Sequence, residues 1–340
     1  MTNIITMGEI MLRLTSPGNL RLEQAQSFDV FYGGDEANVA ISLSIFGLDV
    51  AFITKLPQNS FGQEAIRQLK KYGVNTDFIK TDDQRIGINF YEIGTSIRPS
   101  RVIYDRANSS MSGVNPDDFD FDEIFNNAIW FHTSGITPAL SKKTEKITRI
   151  ALKKAKEKGL TVSMDLNYRK KLWSPKKARS IMADLMQYVD VCIGNEEEAD
   201  KVLGFVPKNT DVSKGELNLE GYKDIFKEMK SRFGFKIIGT TLRESYSASD
   251  NGWSVLVYDG KQFYHSKKYN IHLVDRGGGG CAFAAGLIYG LVKEMPLGET
   301  VEFAAASSAL KQTILGDFNI ITREEVISLA MGDVSGRIQR

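Results

Sequence analysis

The sequence predicts an α/β fold: a mostly parallel sheet flanked by helices, with a small second sheet standing off it. Three observations carry this expectation. Segments with the two-residue period of strands alternate with segments of helical period along most of the chain. The rhythm breaks once, over 86–104, where short extended pieces follow one another without a helix. Four consecutive glycines, Gly277, Gly278, Gly279 and Gly280, join an apolar segment at 269–274 to an Ala-rich segment ending near 289.

The elements follow in order. A strand at 4–7 meets Gly8-Glu9, and a second extended segment covers 11–14. After Gly33-Gly34 comes a helix at 36–46, closed by Gly47 in the C-terminal position that glycine favours. A strand at 50–54, a helix at 61–72 ended by Gly73 and a strand at 77–80 continue a βαβ pattern, which implies parallel pairing. The pieces at 86–93 and 101–104, with 11–31, are expected to form the small sheet and to act as a lid. The alternation resumes with strand 129–133, helix 142–158, strand 160–166, helix 175–188, strand 189–193 and helix 196–203. A polar insertion at 208–218 precedes helix 219–233 and strand 235–240. A hairpin over 253–265 turns at Asp259-Gly260, and helices near 299–315 and 323–331 complete the chain.

Composition removes several function classes. A formal net charge of +1 gives no global attraction to nucleic acid or to an acidic membrane. The lysines at 153–158 fit the solvated face of an amphipathic helix. No apolar run approaches the ~18 residues of a membrane span, and residues 1–6 lead into a strand rather than a signal peptide, so a soluble cytoplasmic protein is expected. Cys192 and Cys281 offer no metal-ligand spacing, and His132, His265 and His272 are too scattered for a triad, so each histidine reads as structural.

The glycine run carries the chemistry. Backbone amides at a helix N-terminus point outward, and the helix dipole adds positive potential, so the junction is an anion cradle. The run alone also fits a flexible loop; the small residues Ala282, Ala284, Ala285 and Gly286 behind it favour the cradle, since they permit close packing. No Gly-Lys-Ser or Gly-Lys-Thr follows it, and no Gly-x-Gly-x-x-Gly opens the chain, which argues against a P-loop and against a dinucleotide-binding oxidoreductase. Polar groups gather where strands are expected to give way to loops: Gly33-Gly34 with Asn38, Tyr104 to Arg106, Asp165 to Arg169, Asn195 to Glu198, Thr241 to Ser245, Asp275-Arg276 and Gly316-Asp317. Any one charge among them fits a surface cap or ion pair; together they read as a ligand site. Arg106 and Arg169 offer forks for a carboxylate or phosphate, and Asn195 with Glu198 is an all-oxygen set suited to Mg²⁺, partly through waters.

These segments, with Gly8 to Arg13 and Tyr32 to Ala40, resemble the ribokinase-type (PfkB) carbohydrate kinases over essentially the whole chain, and most closely the 2-keto-3-deoxygluconate kinases. The resemblance implies a doubly wound domain of residues 1–10, 34–85 and 110–340, and a β lid of 11–33 and 86–109 that makes a homo-oligomer contact. It implies that Gly33, Gly34, Asn38, Tyr104, Arg106, Arg169 and Asp317 hold a sugar acid, with Asp35 and Asn89 at the same site. It also implies that Gly278, Gly279 and Gly280 form the anion hole, that Asn195 and Glu198 organise Mg²⁺, and that Thr241, Arg243 and Ser245 join Gly278 and Gly280 in holding ATP. The family's reaction moves the γ-phosphoryl group of ATP onto a sugar hydroxyl, by positioning and charge stabilisation, while an aspartate directly after the glycines takes the hydroxyl proton.

Here that residue is Cys281. A thiol with a reference pKa near about 8.5 is protonated at neutral pH, and loss of a positioned base costs ~10² to 10⁴ in rate. Asp35 stands where the family carries alanine; at about 4 Å it would repel a substrate carboxylate by about 4 kcal/mol unless Arg106 or Arg169 neutralises it. Asn89 replaces a tyrosine, Gly277 a branched apolar residue and Leu315 a proline. The sequence therefore predicts a kinase of impaired or no activity that retains ligand binding. The alternative is an active sugar kinase of altered specificity, or one in which Asp317, Asp275 or a water replaces the base.

Overall fold

Strand β1 (Ile4–Met7) lies inside a ten-stranded sheet, third from one edge, and the chain winds outward from it in both directions. The structure, a computed structural model, describes residues 4–205 and 219–333, so the polar insertion expected at 208–218 lies outside the described residues. From β1 the chain passes through β2 (Met11–Thr15), β3 (Asp29–Gly33), α1 (Asp35–Ile45), β4 (Val50–Pro57), α2 (Ser60–Lys71), β5 (Ile79–Asp82), β6 (Ile88–Glu92) and β7 (Arg101–Asp105). It then crosses β1 by way of α3 (Phe121–Ile124) and continues with β8 (Trp130–Ser134), α4 (Ile136–Ala139), α5 (Lys142–Glu157), β9 (Thr161–Asp165), α6 (Pro175–Leu185), β10 (Val191–Ile193), α7 (Glu196–Glu198) and α8 (Leu219–Phe233). The last part comprises β11 (Ile237–Ser245), β12 (Asp250–Tyr258), β13 (Phe263–His265), β14 (Tyr269–His272), α9 (Gly279–Val292), α10 (Leu297–Lys311) and α11 (Arg323–Ala330).

The large sheet has the order β13-β12-β11-β10-β9-β8-β1-β4-β5, with β14 paired to β12. Pairing is parallel from β11 to β5 and antiparallel at the β12 edge. The winding reverses between β1 and β8, so a crevice opens beyond the carboxyl ends of these strands. The second sheet, β3-β2-β6-β7, is the small sheet expected from the interrupted rhythm. Apolar side chains close both faces of the large sheet: one cluster joins α1, α2, α9 and α10, and the other joins α5, α6 and α8.

Local chemistry explains most boundaries. Gly47 and Gly73 close α1 and α2 with φ of 86° and 80°, the left-handed conformation expected of them. Asn59 caps α2 and Ser141 caps α5, each side chain accepting a backbone N–H of the first turn. Two expectations need correction. Residues 241–245 are not in a loop: they continue β11, paired antiparallel so that Leu242 lies opposite Ser254 and Arg243 opposite Trp253. Their polar composition suggested a strand end, but the apolar antiparallel strand β12 supplies the backbone partners that polarity does not. The helix expected over 196–203 is a short α-turn that passes into a π-helical turn, Ala199–Leu203, ended by Gly204 with φ of 82°.

Candidate active site

The crevice holds a cavity of ≈ 170 Å³ whose walls include Gly34, Asp35, Asn38, Asn89, Arg169 and Cys281. It shares Tyr104, Arg106 and Arg169 with a second cleft of ≈ 670 Å³ that reaches Asn195 and Glu198. Most of the residues singled out in the sequence therefore meet in one place. Asn89, on β6 of the small sheet, is buried against it.

The glycine turn has the geometry of an anion cradle. Gly278 caps α9 with φ of 79°, and a Cβ there would lie 2.1 Å from the Asp317 carbonyl, so only glycine fits. The first helical hydrogen bond runs from the Ala282 N–H to the Gly278 carbonyl at 2.9 Å. The N–H groups of Gly279, Gly280 and Cys281 consequently have no acceptor within the helix. Beside Gly280 the space is open, with no atom within 4 Å of the point a Cβ would occupy. Gly279 and Gly280 belong to the first turn of α9, so the cradle is the helix end itself rather than a preceding loop.

Cys281 is buried, and its thiol donates a hydrogen bond to Asp35 Oδ1 at 3.0 Å while Asn38 Nδ2 donates to its sulfur at 3.5 Å. Burial, and then the Asp35 charge, push the thiol well above its ordinary pKa, so the sulfur holds its proton at neutral pH. Neither Arg106 nor Arg169 neutralises Asp35 by an ion pair among the described residues; its contact is the thiol, and its Oδ2 is buried without a partner.

The two expected arginine forks differ. Arg106 is committed inside the protein: its Nε donates to Glu9 Oε2 at 2.8 Å, and Ser109 donates to the other oxygen of Glu9. Arg169 has no acidic partner within bonding distance among the described residues, and donates only to the Tyr168 carbonyl at 3.1 Å. Burial weakens its charge, but Tyr104, Glu198, Asp35 and Asp165 more than offset this.

Asp317 is also committed. Arg13, from β2, bonds Asp317 Oδ1 at 2.7 Å and Asp275 Oδ2 at 2.6 Å. Asp275 in turn accepts the N–H groups of Gly277 at 2.9 Å and Gly316 at 3.0 Å, so the entry to the glycine turn is fixed from both sides. Lys311 is buried behind Gly278, its Nζ bonded to the Ile314 carbonyl at 3.3 Å, and burial lowers its pKa.

On the other side of the crevice, Asn195 and Glu198 bond each other: the Asn195 N–H donates to Glu198 Oε2 at 3.0 Å and the Glu198 N–H to Asn195 Oδ1 at 2.9 Å. Burial raises Glu198 to about 7, and it raises Asp165 well above the usual carboxylate range, with the Asp35 charge next. Thr241, Arg243 and Ser245 occupy alternate positions of β11, with Leu242 between them buried. Burial, and the neighbouring Arg243 charge, lower Arg276, whose Nε is buried without a partner. Two guanidinium groups with no acidic partner among the described residues thus stand together near the glycine turn.

Over residues 1–317 the chain matches the family model described as pfkB family carbohydrate kinase. The chain belongs to the PfkB family. A solved 2-dehydro-3-deoxygluconokinase from Thermotoga maritima is 49% identical, with a TM-score of 0.94 covering 98% of this chain and 100% of that one. A 2-dehydro-3-deoxygalactonokinase from Haloferax volcanii is 33% identical over 98% of each chain. A fructokinase from Xylella fastidiosa, solved with bound ATP, is 21% identical with a TM-score of 0.76 over 97% of this chain and 98% of that one, a likeness of fold alone.

PfkB kinases use ATP and Mg²⁺, and the residues present suit both in part. Among the described residues no three His, Cys, Asp or Glu side chains gather as a metal site. Asn195 and Glu198 would thus hold Mg²⁺ through waters, as this cation permits. Arg243 and Arg276, with the open amides of α9, would give a polyphosphate chain its counter-charge. Sequence reasoning assigned no role to Glu9, Arg13 or Lys311. The available signal was a lone arginine inside the apolar strand 11–15, where an unpaired charge would not be tolerated. No helix among the described residues is long and apolar enough to cross a membrane.

Proposed function

We propose that this chain is an ATP-dependent kinase of a 2-keto-3-deoxy sugar acid, slow because the proton acceptor expected at position 281 is a thiol. The observation that carries the reading is Arg169: a half-buried guanidinium with no acidic partner within bonding distance among the described residues, in a cavity that also reaches the glycine turn. A substrate carboxylate completes that guanidinium as a fork, and an extended sugar acid then places its far hydroxyl toward Gly278, Gly279 and Gly280. The open amides stabilise charge on the transferring phosphoryl group. The 2-dehydro-3-deoxygluconokinase and 2-dehydro-3-deoxygalactonokinase relatives support the substrate class. The site is intracellular in this reading, and the small sheet serves as a lid over the sugar and as a contact between copies.

The test is a coupled assay of ADP release with 2-keto-3-deoxygluconate and 2-keto-3-deoxygalactonate, run beside calorimetric titration of each sugar acid and of ATP–Mg²⁺. The double variant Asp35→Ala/Cys281→Asp, which restores the family pattern, is expected to turn over ~10² times faster than the parent, the lower end of what a positioned base supplies. A parent within about 10-fold of that variant overturns the claim of slowness. Absence of sugar-acid binding by both proteins overturns the substrate class.

A further inference from the structure

We infer that Asp35 is the proton acceptor of the kinase site, a carboxylate supplied from α1 in place of the one missing at position 281. The inference rests on the kinase reading above and deepens it.

Four observations converge. First, Asp35 Oδ1 lies 3.0 Å from Cys281 Sγ, so a carboxylate stands one hydrogen bond from the side chain that follows the glycines. Second, the other oxygen, Oδ2, is buried and has no partner, although Asp35 lines the cavity. A buried carboxylate oxygen left unpaired costs free energy unless a ligand completes it, and a donor hydroxyl does so. Third, each of the other carboxylates in or beside the cavity has an oxygen already bonded within the protein. Asp317 Oδ1 and Asp275 Oδ2 are held by Arg13, Glu9 by Arg106 and Ser109, and Glu36 Oε1 accepts from the Ser134 N–H, the Ser134 hydroxyl and Thr137. The substitutes considered from sequence, Asp317 and Asp275, are therefore each tied to Arg13. Fourth, Asp35 opens α1 and bonds Cys281 in the first turn of α9, so the carboxylate stands between two helix N-termini, where the anion hole for the phosphoryl group is expected.

The Cys281 thiol orients this carboxylate. By donating to Oδ1 it fixes the group and leaves Oδ2 as the oxygen without a partner. In the transfer, the O–H bond of the sugar hydroxyl breaks and its proton passes to Asp35 Oδ2. The hydroxyl oxygen bonds to the γ-phosphorus of ATP, and the bond from that phosphorus to the β,γ-bridging oxygen breaks to release ADP. Cys281 keeps its proton throughout.

The experiment compares the parent, Asp35→Asn, Asp35→Ala and Asp35→Ala/Cys281→Asp in the ADP-release assay with 2-keto-3-deoxygluconate, with calorimetry of ATP–Mg²⁺ and of the sugar acid on each. Asp35→Asn is expected to lower kcat by ~10² with nucleotide affinity unchanged, and the double variant to restore turnover, since it returns a carboxylate to the site. Turnover by Asp35→Asn or Asp35→Ala equal to or above the parent overturns the inference, because Asp35 would then be only a repelling charge. A parent without turnover beside an active double variant overturns it too, while leaving the kinase reading intact. If none of the proteins binds sugar acid, the kinase reading fails and the inference with it.

Discussion

Arg13 on β2 and Asp275 at the mouth of the glycine turn form a 2.6 Å ion pair whose side chains are 1% and 0% exposed. The second arm of the guanidinium holds Asp317, and its face lies over the Tyr91 ring at 3.9 Å. Arg13 therefore ties a strand of the small sheet to the turn that presents the open amides of α9. Sugar side and phosphoryl side are fixed to one another through a single planar cation.

Replacing Arg13 by leucine leaves Asp275 and Asp317 without their ion-pair partner. Breaking one partner of a buried pair costs about 3–5 kcal/mol, so urea midpoints should fall accordingly. Arg13→Lys keeps the charge but cannot bond both carboxylates in a fork, and an intermediate loss is expected. A leucine variant as stable as the parent would show that the cluster contributes nothing to the fold.

Gly277 makes the Asp317 arm of this cluster sterically available, since a Cβ at 277 would lie 2.2 Å from Asp317 Oδ1 and 2.7 Å from Arg13 Nη1. Gly277→Val should displace the Asp317 carboxylate and destabilise the protein by about 1–3 kcal/mol, as overpacking does. In an Asp317→Ala background much of that cost should vanish, because the nearest obstructing atom is gone and Arg13 is released from that arm. Equal costs in the two backgrounds would place the strain elsewhere, and a double-mutant cycle from denaturant melts reads the difference.

Much of this arrangement was legible in the sequence, and what was not has a physical reason. Alternating periods gave the large sheet and its helices, and their interruption gave the small sheet, because strand and helix periods follow from local geometry. The glycine run pointed to the cradle only together with the small residues Ala282, Ala284, Ala285 and Gly286 behind it, since bare backbone alone also fits a flexible loop. Pairings between distant residues were invisible: Arg13 with Asp275, Glu9 with Arg106, and Asp35 with Cys281 are set by how β2, β1 and α1 dock on distant parts of the chain. The polar run Thr241–Ser245 misled for the same reason, as its strand character comes from the partner β12.

Arg106 and Arg169 look alike in sequence but should respond in opposite ways. Arg169→Leu removes a guanidinium that is free for ligand, and loss of a charge-assisted bond worth about 1.5–3 kcal/mol should weaken sugar-acid binding by about 10- to 150-fold with little change in stability. Arg106→Leu strands Glu9, itself buried, so its main effect should be a lowered melting temperature. Calorimetry and thermal melts on both variants decide the matter; a reversed pattern would exchange the two roles.

The buried carboxylate of Glu36 should make stability depend on pH. Burial first, and then the Asp35 charge, raise Glu36 from 4.5 to about 7, although three donors on Oε1 pull the other way. The folded chain thus holds a proton that the unfolded chain gives up near 4.5. Its stabilising contribution is fully present below that value and is lost as pH rises through about 7. One such proton changes stability by at most about 1.4 kcal/mol per pH unit within the window. Glu36→Gln cannot titrate, so the melting temperature of the variant relative to the parent should climb between pH 5 and pH 8. Removing the Asp35 charge as well, in an Asp35→Ala background, should shrink that climb, since one of the two causes of the raised pKa is gone. Parallel melting curves for parent and Glu36→Gln across the range would mean that Glu36 is ionised in the folded protein throughout.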